Sequence, residues 1–441
     1  MGEVLRVIEP GILTAVQDLG RPGYQKFGIP VSGALDPVAL RLANALAGNP
    51  PGAAALEVTG GGLTLEALEE CVVALAGAET PAFRDDTPVL GFTALRLMPG
   101  QRIRLGAARA GLRAYLAVHG GLDVPLVLGS RSTCLRLGFG GLGGRTLQAG
   151  DVLAAGPATA DPGSLRGRHL PPSGRPILTP PWAIRVVPGP QHDAFTEEAL
   201  ETFFGSSYEV TSHSDRMGMR LTGRPLAHRT SADILSDAIP LGAVQVPGEG
   251  QPIVLLADRQ TTGGYPKIAT AIGPDVAGLA QARPGDAVRF IRITGEEAQA
   301  AAREAAEALA RLEAAIAASA TEREYTVTLE GEEIRAAVQA VEEGWLVAVG
   351  GEQHLVGHST EAGRREAGAV LSPLPGLVVA VHVGEGEVVR AGARLLTLSA
   401  MKMEHDLTAP AAGTVLELRV RPQQTVAVGD LLLRLKALPD A

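Results

Sequence analysis

Near its C-terminus the chain repeats itself at a fixed offset of 37. Pro373-Leu374-Pro375-Gly376 corresponds to Pro410-Ala411-Ala412-Gly413, Gly392 to Gly429, and Leu395-Leu396 to Leu432-Leu433. Two similar β halves each leave one apolar face, and pairing them about a pseudo-two-fold axis buries both. The join between the halves is then an exposed turn, and it carries Ala400-Met401-Lys402-Met403-Glu404. A lysine at a hairpin tip is held by the turn yet reaches solvent. A modifying enzyme and a swinging covalent group both need that geometry, whereas an ordinary surface lysine does not.

The carrier-like repeat accounts for residues 369–437 of a chain of 441, so the remainder holds more than one further core. With 55 glycines, 31 prolines and aromatics at 3%, short strands joined by tight turns are favoured and the fold class is mainly β. Strand-type runs occur at Leu112 to Val118, Ala183 to Val187, Ile253 to Leu256 and Ala287 to Ile293. Asp36 before Pro37 predicts a capped helix running to Gly48. A proline-rich stretch from Asp161 to Pro181 reads as a connector between an N-terminal subdomain, 1–165, and a second, 182–293. The T-x-x-E spacing of Thr294 and Glu297 predicts a helix within 294–320, with Leu309, Leu312 and Ile316 on one narrow stripe, read as a spacer in preference to a docking helix. Residues 324–360 read as a small β-rich domain, with Tyr325, Val327 and Leu329 alternating before Glu330-Gly331.

Several classes of function are disfavoured. The charge, 39 minus 48 or −9, comes with no basic block, so no nucleic-acid partner is expected. Cys71 and Cys134 form neither a disulfide framework nor a CxxC pair, which fits a cytoplasmic protein. Glu3, Arg6 and Glu9 stand where an export signal would be apolar, and no membrane span is expected. Gly138 to Gly143 satisfies GxGxxG but leads into a turn and strand, not a helix, and is read as a β-turn. His354 and His358 flank Gly357 without a third ligand, so no metal is expected. No Gly-Lys dipeptide occurs, which removes a P-loop.

At the AMKM tetrapeptide, residues 400–403, the chain resembles the biotinyl domains of biotin-dependent carboxylases. The resemblance implies a flattened β-barrel or sandwich, covalent biotin on Lys402, and a biotin protein ligase as partner. Further upstream, Gly11 to Gly23, Gly28 to Asp36, Gly129-Ser-Arg-Ser-Thr133, Gly189-Pro-Gln-His-Asp193, Ser214-Asp-Arg-Met-Gly218 and Asp258 to Lys267 resemble the allophanate hydrolase subunit 2 family. That family includes KipA-type proteins, the C subunit of bacterial 5-oxoprolinase and the first half of the urea carboxylase carboxyltransferase region. It implies a cyclophilin-like β-barrel in 182–293. It also implies a subunit 1 or KipI-type partner completing the site, and a separate biotin carboxylase that uses ATP, Mg and bicarbonate.

Moving CO2 from carboxybiotin to an amide-like nitrogen needs a cradle for the ureido ring, groups that orient the acceptor carbonyl, and a base. The loop Asp258 to Lys267 follows an apolar strand, so its polar groups emerge at a strand end. Gln260 and Thr261 suit an amide-like substrate, and Lys267 suits a developing oxyanion. Tyr265 completes the loop, whereas Asp258 and Thr262 also suit plain turn-building. Arg216 is placed to clamp a carboxylate, with Asp215 accepting a proton or holding Arg216, or both forming an internal ion pair. Gln191 and Arg131 are further binding candidates, while Asp193 is weaker, His192 reads as a satisfied histidine, and Cys134 is not expected to be a nucleophile. Three functions stay open: a biotin-dependent carboxyltransferase subunit acting on urea or a related amide, guanidine or lactam; the C subunit of an ATP-dependent 5-oxoprolinase; and a KipA-like regulatory binding protein.

Overall fold

The computed structural model describes residues 2–158, 160, 165, 167–319, 322–329, 332–341, 344–349, 352–357, 369–372, 376–390, 392–400, 403–409, 412–426 and 430–437. Met401, Lys402, His358, Glu330, Gly331, residues 373–375, 410–411 and Gly429 therefore lie outside the described residues. Residues 1–356 and 357–441 form two compact units.

The first part of the larger unit is two antiparallel sheets. One has six strands, with Gly2–Pro10 and Leu63–Ala67 near its centre; the other has five, with Ala55–Thr59, Ala110–Val118 and Cys71–Glu79 adjacent. Alternation along these strands feeds two cores at once, because successive side chains leave opposite faces of a sheet. Val73 and Leu116 join Leu5, Leu56 and Leu65 in one core, while Val72, Ala74, Tyr115 and Ala117 face a helix on the other side. That helix, Pro37–Leu46, begins as the sequence predicts: the Asp36 carboxylate accepts the Ala39 N–H at 2.9 Å, and Leu40, Leu42, Ala43 and Leu46 are buried. It ends at Leu46, slightly short of Gly48.

The second part is a closed seven-stranded barrel, in the order Trp182–Pro188, Lys267–Ala271, Ala243–Gln245, Ile253–Leu255, Gly218–Thr222, Ser207–Val210, Ala287–Arg292. The last strand closes against the first in parallel, Trp182 opposite Val288 and Ile184 opposite Phe290. Phe203, from the helix Glu197–Gly205, stacks on Phe290 with centroids 4.5 Å apart inside the barrel core.

The helix Gly295–Ala317 has the full capping box at Thr294 and Glu297. It is not the free spacer that its narrow stripe predicts. Leu309 and Ile316 are buried against the Pro37–Leu46 helix, and Arg41 makes a two-pronged ion pair with Glu313, both contacts at 2.9 Å. Leu312 packs beside Leu309 and Ile316, and this narrow stripe meets Leu165 and Leu170 of the proline-rich connector in the same core. After it, Glu322–Leu329, Glu332–Val341, Gly344–Val349 and Glu352–Gly357 form an antiparallel meander. The Gly138 to Gly143 segment is turns, held by a Cys134–Phe139 bridge, as expected.

In the smaller unit the repeat is visible in the strands. Gly376–Val381 maps onto Gly413–Leu418, Val388–Val389 onto Thr425–Val426, and Arg394–Ala400 onto Leu431–Ala437, each at the same offset. Each of the two four-stranded sheets takes strands from both halves, which a pseudo-two-fold exchange requires. Leu395, Leu396, Leu432 and Leu433 are all fully buried in the shared core. The strands flanking the lysine pair out to Ala400 opposite Met403. Among the described residues no helix is long and apolar enough to cross a membrane.

Candidate functional site

Three of the sequence blocks converge on a buried ionic seam between the paired sheets and the barrel. Glu57 sits in the otherwise apolar strand Ala55–Thr59 and is 1% exposed. Its carboxylate accepts from Tyr115 at 2.6 Å, from the Leu35 N–H at 2.9 Å, and from the Arg216 guanidinium. Arg216 Nε donates to Asp258 at 2.9 Å, and Nη2 donates to the Gly33 carbonyl. Gly33 has φ +88 and a Cβ there would meet the Gly20 N at 2.8 Å, so this close crossing of two loops requires glycine. Asp36 accepts from Gln281 Nε2 at 2.7 Å, and Gln281 Oε1 accepts the Leu112 and Arg113 N–H groups, each at 3.0 Å.

Electrostatics follow from that geometry. Burial pushes the Glu57 carboxyl up, but Arg216 and Arg113 outweigh it and hold it below the usual range. Burial lowers Arg216, yet Glu57 and Asp258 raise it on balance. Asp36 is pushed up, chiefly by burial and further by the nearby Glu57 carboxylate. The structure thereby corrects three expectations. Arg216 is 6% exposed and saturated by two carboxylates and a carbonyl, so it clamps no substrate, and Asp258 is its partner and not a substrate contact. Nor does Asp215 hold Arg216: its Oδ1 accepts the Met217 and Gly218 N–H groups, at 2.8 and 3.0 Å.

Asp215 instead lines a cleft of about 640 Å³ on the barrel, together with Gln260, Tyr265, Gln245, Arg220 and Arg136. Asp215 Oδ2 and the Gln260 side-chain amide make no hydrogen bond among the described residues. Gln245 is 2% exposed and donates to the Tyr265 carbonyl at 3.2 Å, which fixes that end of the loop. The wall thus offers carboxylates (Asp215, Glu249), guanidinium groups (Arg136, Arg220) and amides side by side, a lining suited to a neutral, strongly polar ligand.

The remaining candidates fall elsewhere. Lys267 is 1% exposed, and its Nζ donates to Asp237 at 2.8 Å. Gln191 binds the same carboxylate at 3.3 Å and accepts the Lys267 N–H at 3.2 Å. The hydrogen bond from Lys267 holds the Asp237 carboxyl below its ordinary range. Lys267 therefore carries a neutralised ammonium under the short ribbon of Asp237–Ala238 and Thr262–Gly263, and is no free oxyanion donor. Arg131 is no free clamp either: it donates to Asp123 and to the Val124 carbonyl, both at 3.0 Å. The Thr261 carbonyl accepts the Ile239 N–H at 3.0 Å, which anchors the loop. His192 Nδ1 contacts the Gly189 carbonyl at 2.9 Å, and Cys134 is fully buried. No metal-holding cluster occurs among the described residues.

Sequence reasoning missed Glu57, Arg113, Tyr115 and Gln281. They sit on regular elements without punctuation, and the one signal for them was a glutamate inside the apolar run Ala54-Ala55-Leu56-Glu57-Val58.

Comparison with known proteins adds five findings. Residues 27–292 match the family described as carboxyltransferase domain, subdomain A and B, and residues 368–435 match the family described as biotin-requiring enzyme. The chain is 43% identical over 297 residues to the C subunit of 5-oxoprolinase from Escherichia coli (strain K12), covering 67% of this chain and 93% of that one. It resembles the crystal structure of the K. lactis urea amidolyase with a TM-score of 0.67 and 26% identity, over 84% of this chain but only 25% of that one. The C-terminal part is 43% identical over 65 residues to the mitochondrial propionyl-CoA carboxylase alpha chain of Homo sapiens, 15% of this chain and 9% of that one.

Proposed function

The chain belongs to the carboxyltransferase family with subdomains A and B and carries a biotin-type carrier domain, and from that premise we propose that it works as a subunit of a biotin-dependent carboxylase. In this reading Lys402 bears the biotin, and the barrel cleft contributes half of the site that carboxylates urea or a related amide, guanidine or lactam. A subunit 1-type protein completes the site, a biotin carboxylase charges the carrier, and a biotin protein ligase attaches the cofactor. The observation that carries the reading is the union of both parts in one polypeptide. A carrier tied to a transfer region raises the effective concentration of its cargo there, which is useful only if the cargo is delivered. The carrier fits its group: Arg394–Ala400 and Met403–Thr408 are paired up to Ala400 opposite Met403, a firm base for a swinging side chain.

When bound, biotin supplies an activated carboxyl group on a ureido nitrogen. The chain's own groups do the rest. Gln260 orients the amide-like acceptor through a donor and an acceptor. Asp215, held at Oδ1 by two N–H groups, takes the acceptor's N–H proton at Oδ2. Arg220 and Arg136 stabilise negative charge developing on oxygen.

A second reading, the C subunit of an ATP-dependent 5-oxoprolinase, is favoured by the 43% identity to such a protein over 93% of its length. Reconstitution with a biotin carboxylase, a subunit 1-type partner, ATP, Mg and labelled bicarbonate separates the two. The first reading expects label in an added urea, amide, guanidine or lactam, and loss of transfer in Lys402→Arg. Lactam opening that continues undiminished in Lys402→Arg would overturn it in favour of the second.

A further inference from the structure

A second cavity lies on the other side of the same loop. Gln260 faces the cleft, but its neighbour Arg259 lines a separate space of about 280 Å³ with Ser32, Leu19, Val31, Leu241 and Val276. That volume sits just below the roughly 300 Å³ at which drug-sized ligand sites begin, so an occupant must be small. Leu19 and Leu241 are 45% and 41% exposed and form an apolar rim.

Arg259 is 7% exposed. Nε donates to the Ile239 carbonyl at 3.0 Å and Nη1 to the Leu256 carbonyl at 3.2 Å, leaving Nη2 without a partner among the described residues. Burial holds its guanidinium below the ordinary value, and no carboxylate opposes that. Here it differs from Arg216 and Arg113, which face Glu57, and from Arg21, which lies near Asp18 and Asp258. An arginine stays charged, and a buried cation without counter-charge is costly. Ser32 adds an independent observation. It is 4% exposed, its hydroxyl has no hydrogen-bond partner, and its backbone sits at φ +55, a region serine rarely occupies. Its N–H donates to the Ala257 carbonyl at 3.1 Å, which ties the strained residue to the loop bearing Arg259.

We propose that this cavity is a binding site for a small monocarboxylate with a compact apolar body, the carboxylate taken by Arg259 Nη2 and the Ser32 hydroxyl. The site stands apart from the cleft assigned to the amide-like acceptor. Two polar groups in an otherwise apolar wall match one carboxylate; a phosphate would present more oxygens than the wall has donors to meet.

The test is equilibrium binding to the full-length chain, without partner subunits, using cyclopentanecarboxylate, its neutral isostere cyclopentanecarboxamide, and inorganic phosphate. The carboxylate is expected to bind, with the carboxamide and phosphate weaker by roughly tenfold or more, the usual worth of a charge-assisted hydrogen bond. Folded Arg259→Met is expected to lose carboxylate binding by a similar factor, and Ser32→Ala by severalfold. Should Arg259→Met fail to fold, Ser32→Ala decides, since it removes only an unpartnered oxygen. Absence of carboxylate binding, equal binding of carboxamide or phosphate, or unchanged binding in either folded variant would overturn the proposal.

Discussion

Adjacent residues in this chain do opposite work, and the buried seam and the open cleft show why. Asp215 lines the cleft while Arg216 is sealed in the seam; Gln260 lines the cleft while Asp258 is sealed beside Arg216. Where a loop turns at a strand end its side chains leave in several directions, so one short block supplies both a structural tie and a cleft wall. A charged residue in a motif is therefore no guide to its role until its burial is known. The seam holds the molecule together, and in the proposed function the cleft does its chemistry.

The largest effect that separates the two belongs to the seam. Arg216→Met strips buried Asp258 of its ion-pair partner and leaves Glu57 with only Arg113, 4.0 Å away, and is expected to cost about 3–5 kcal/mol, read as a lowered unfolding midpoint in denaturant. Asp215→Asn is expected to reduce carboxyl transfer at least tenfold in the reconstituted system while leaving that midpoint unchanged. An unaltered midpoint in Arg216→Met, or a large drop in Asp215→Asn, would erase the distinction.

The acid response sharpens it. The folded Glu57 carboxyl lies below its unfolded value, so its contribution is fully present above the ordinary carboxylate range, near about 4.3, and is lost as pH falls through the lower folded value. Stability of the wild-type chain should fall across that acid window, and Glu57→Gln should be less stable at neutral pH with a shallower acid slope. Asp36 works in the opposite sense: its raised value favours the protonated folded form, which softens the loss. The smallest expected effect is chemical. Burial pushes the Cys71 thiol up to about 12, so alkylation of the native chain near neutral pH should leave Cys71 unmodified until the protein unfolds.

Legibility also differed between regions. The carrier's strands could be placed from the repeat because an internal symmetry constrains both halves at once; Leu395-Leu396 and Leu432-Leu433 mark the same core positions. The caps at Asp36 and Thr294 were equally readable, since each rests on local hydrogen bonds. Docking of the Gly295–Ala317 helix was not, because the groove receiving Leu309 and Ile316 is built from residues far away in sequence. For the same reason the blocks announced that Arg216, Asp258 and Lys267 matter without revealing that Glu57 joins Asp258 in neutralising Arg216 and that Asp237 neutralises Lys267. Ser32 and Arg259 carried no sequence signal as a pair, and meet only through the loop crossing.

The most direct test of the central claim is the intact mass of the chain co-expressed with an active biotin protein ligase, followed by peptide mapping. The chain has four lysines, Lys26, Lys267, Lys402 and Lys436, so assignment is unambiguous. One biotinyl group per chain is expected, on the peptide containing Lys402. A chain that stays unmodified, or one that is modified at another lysine, would contradict it.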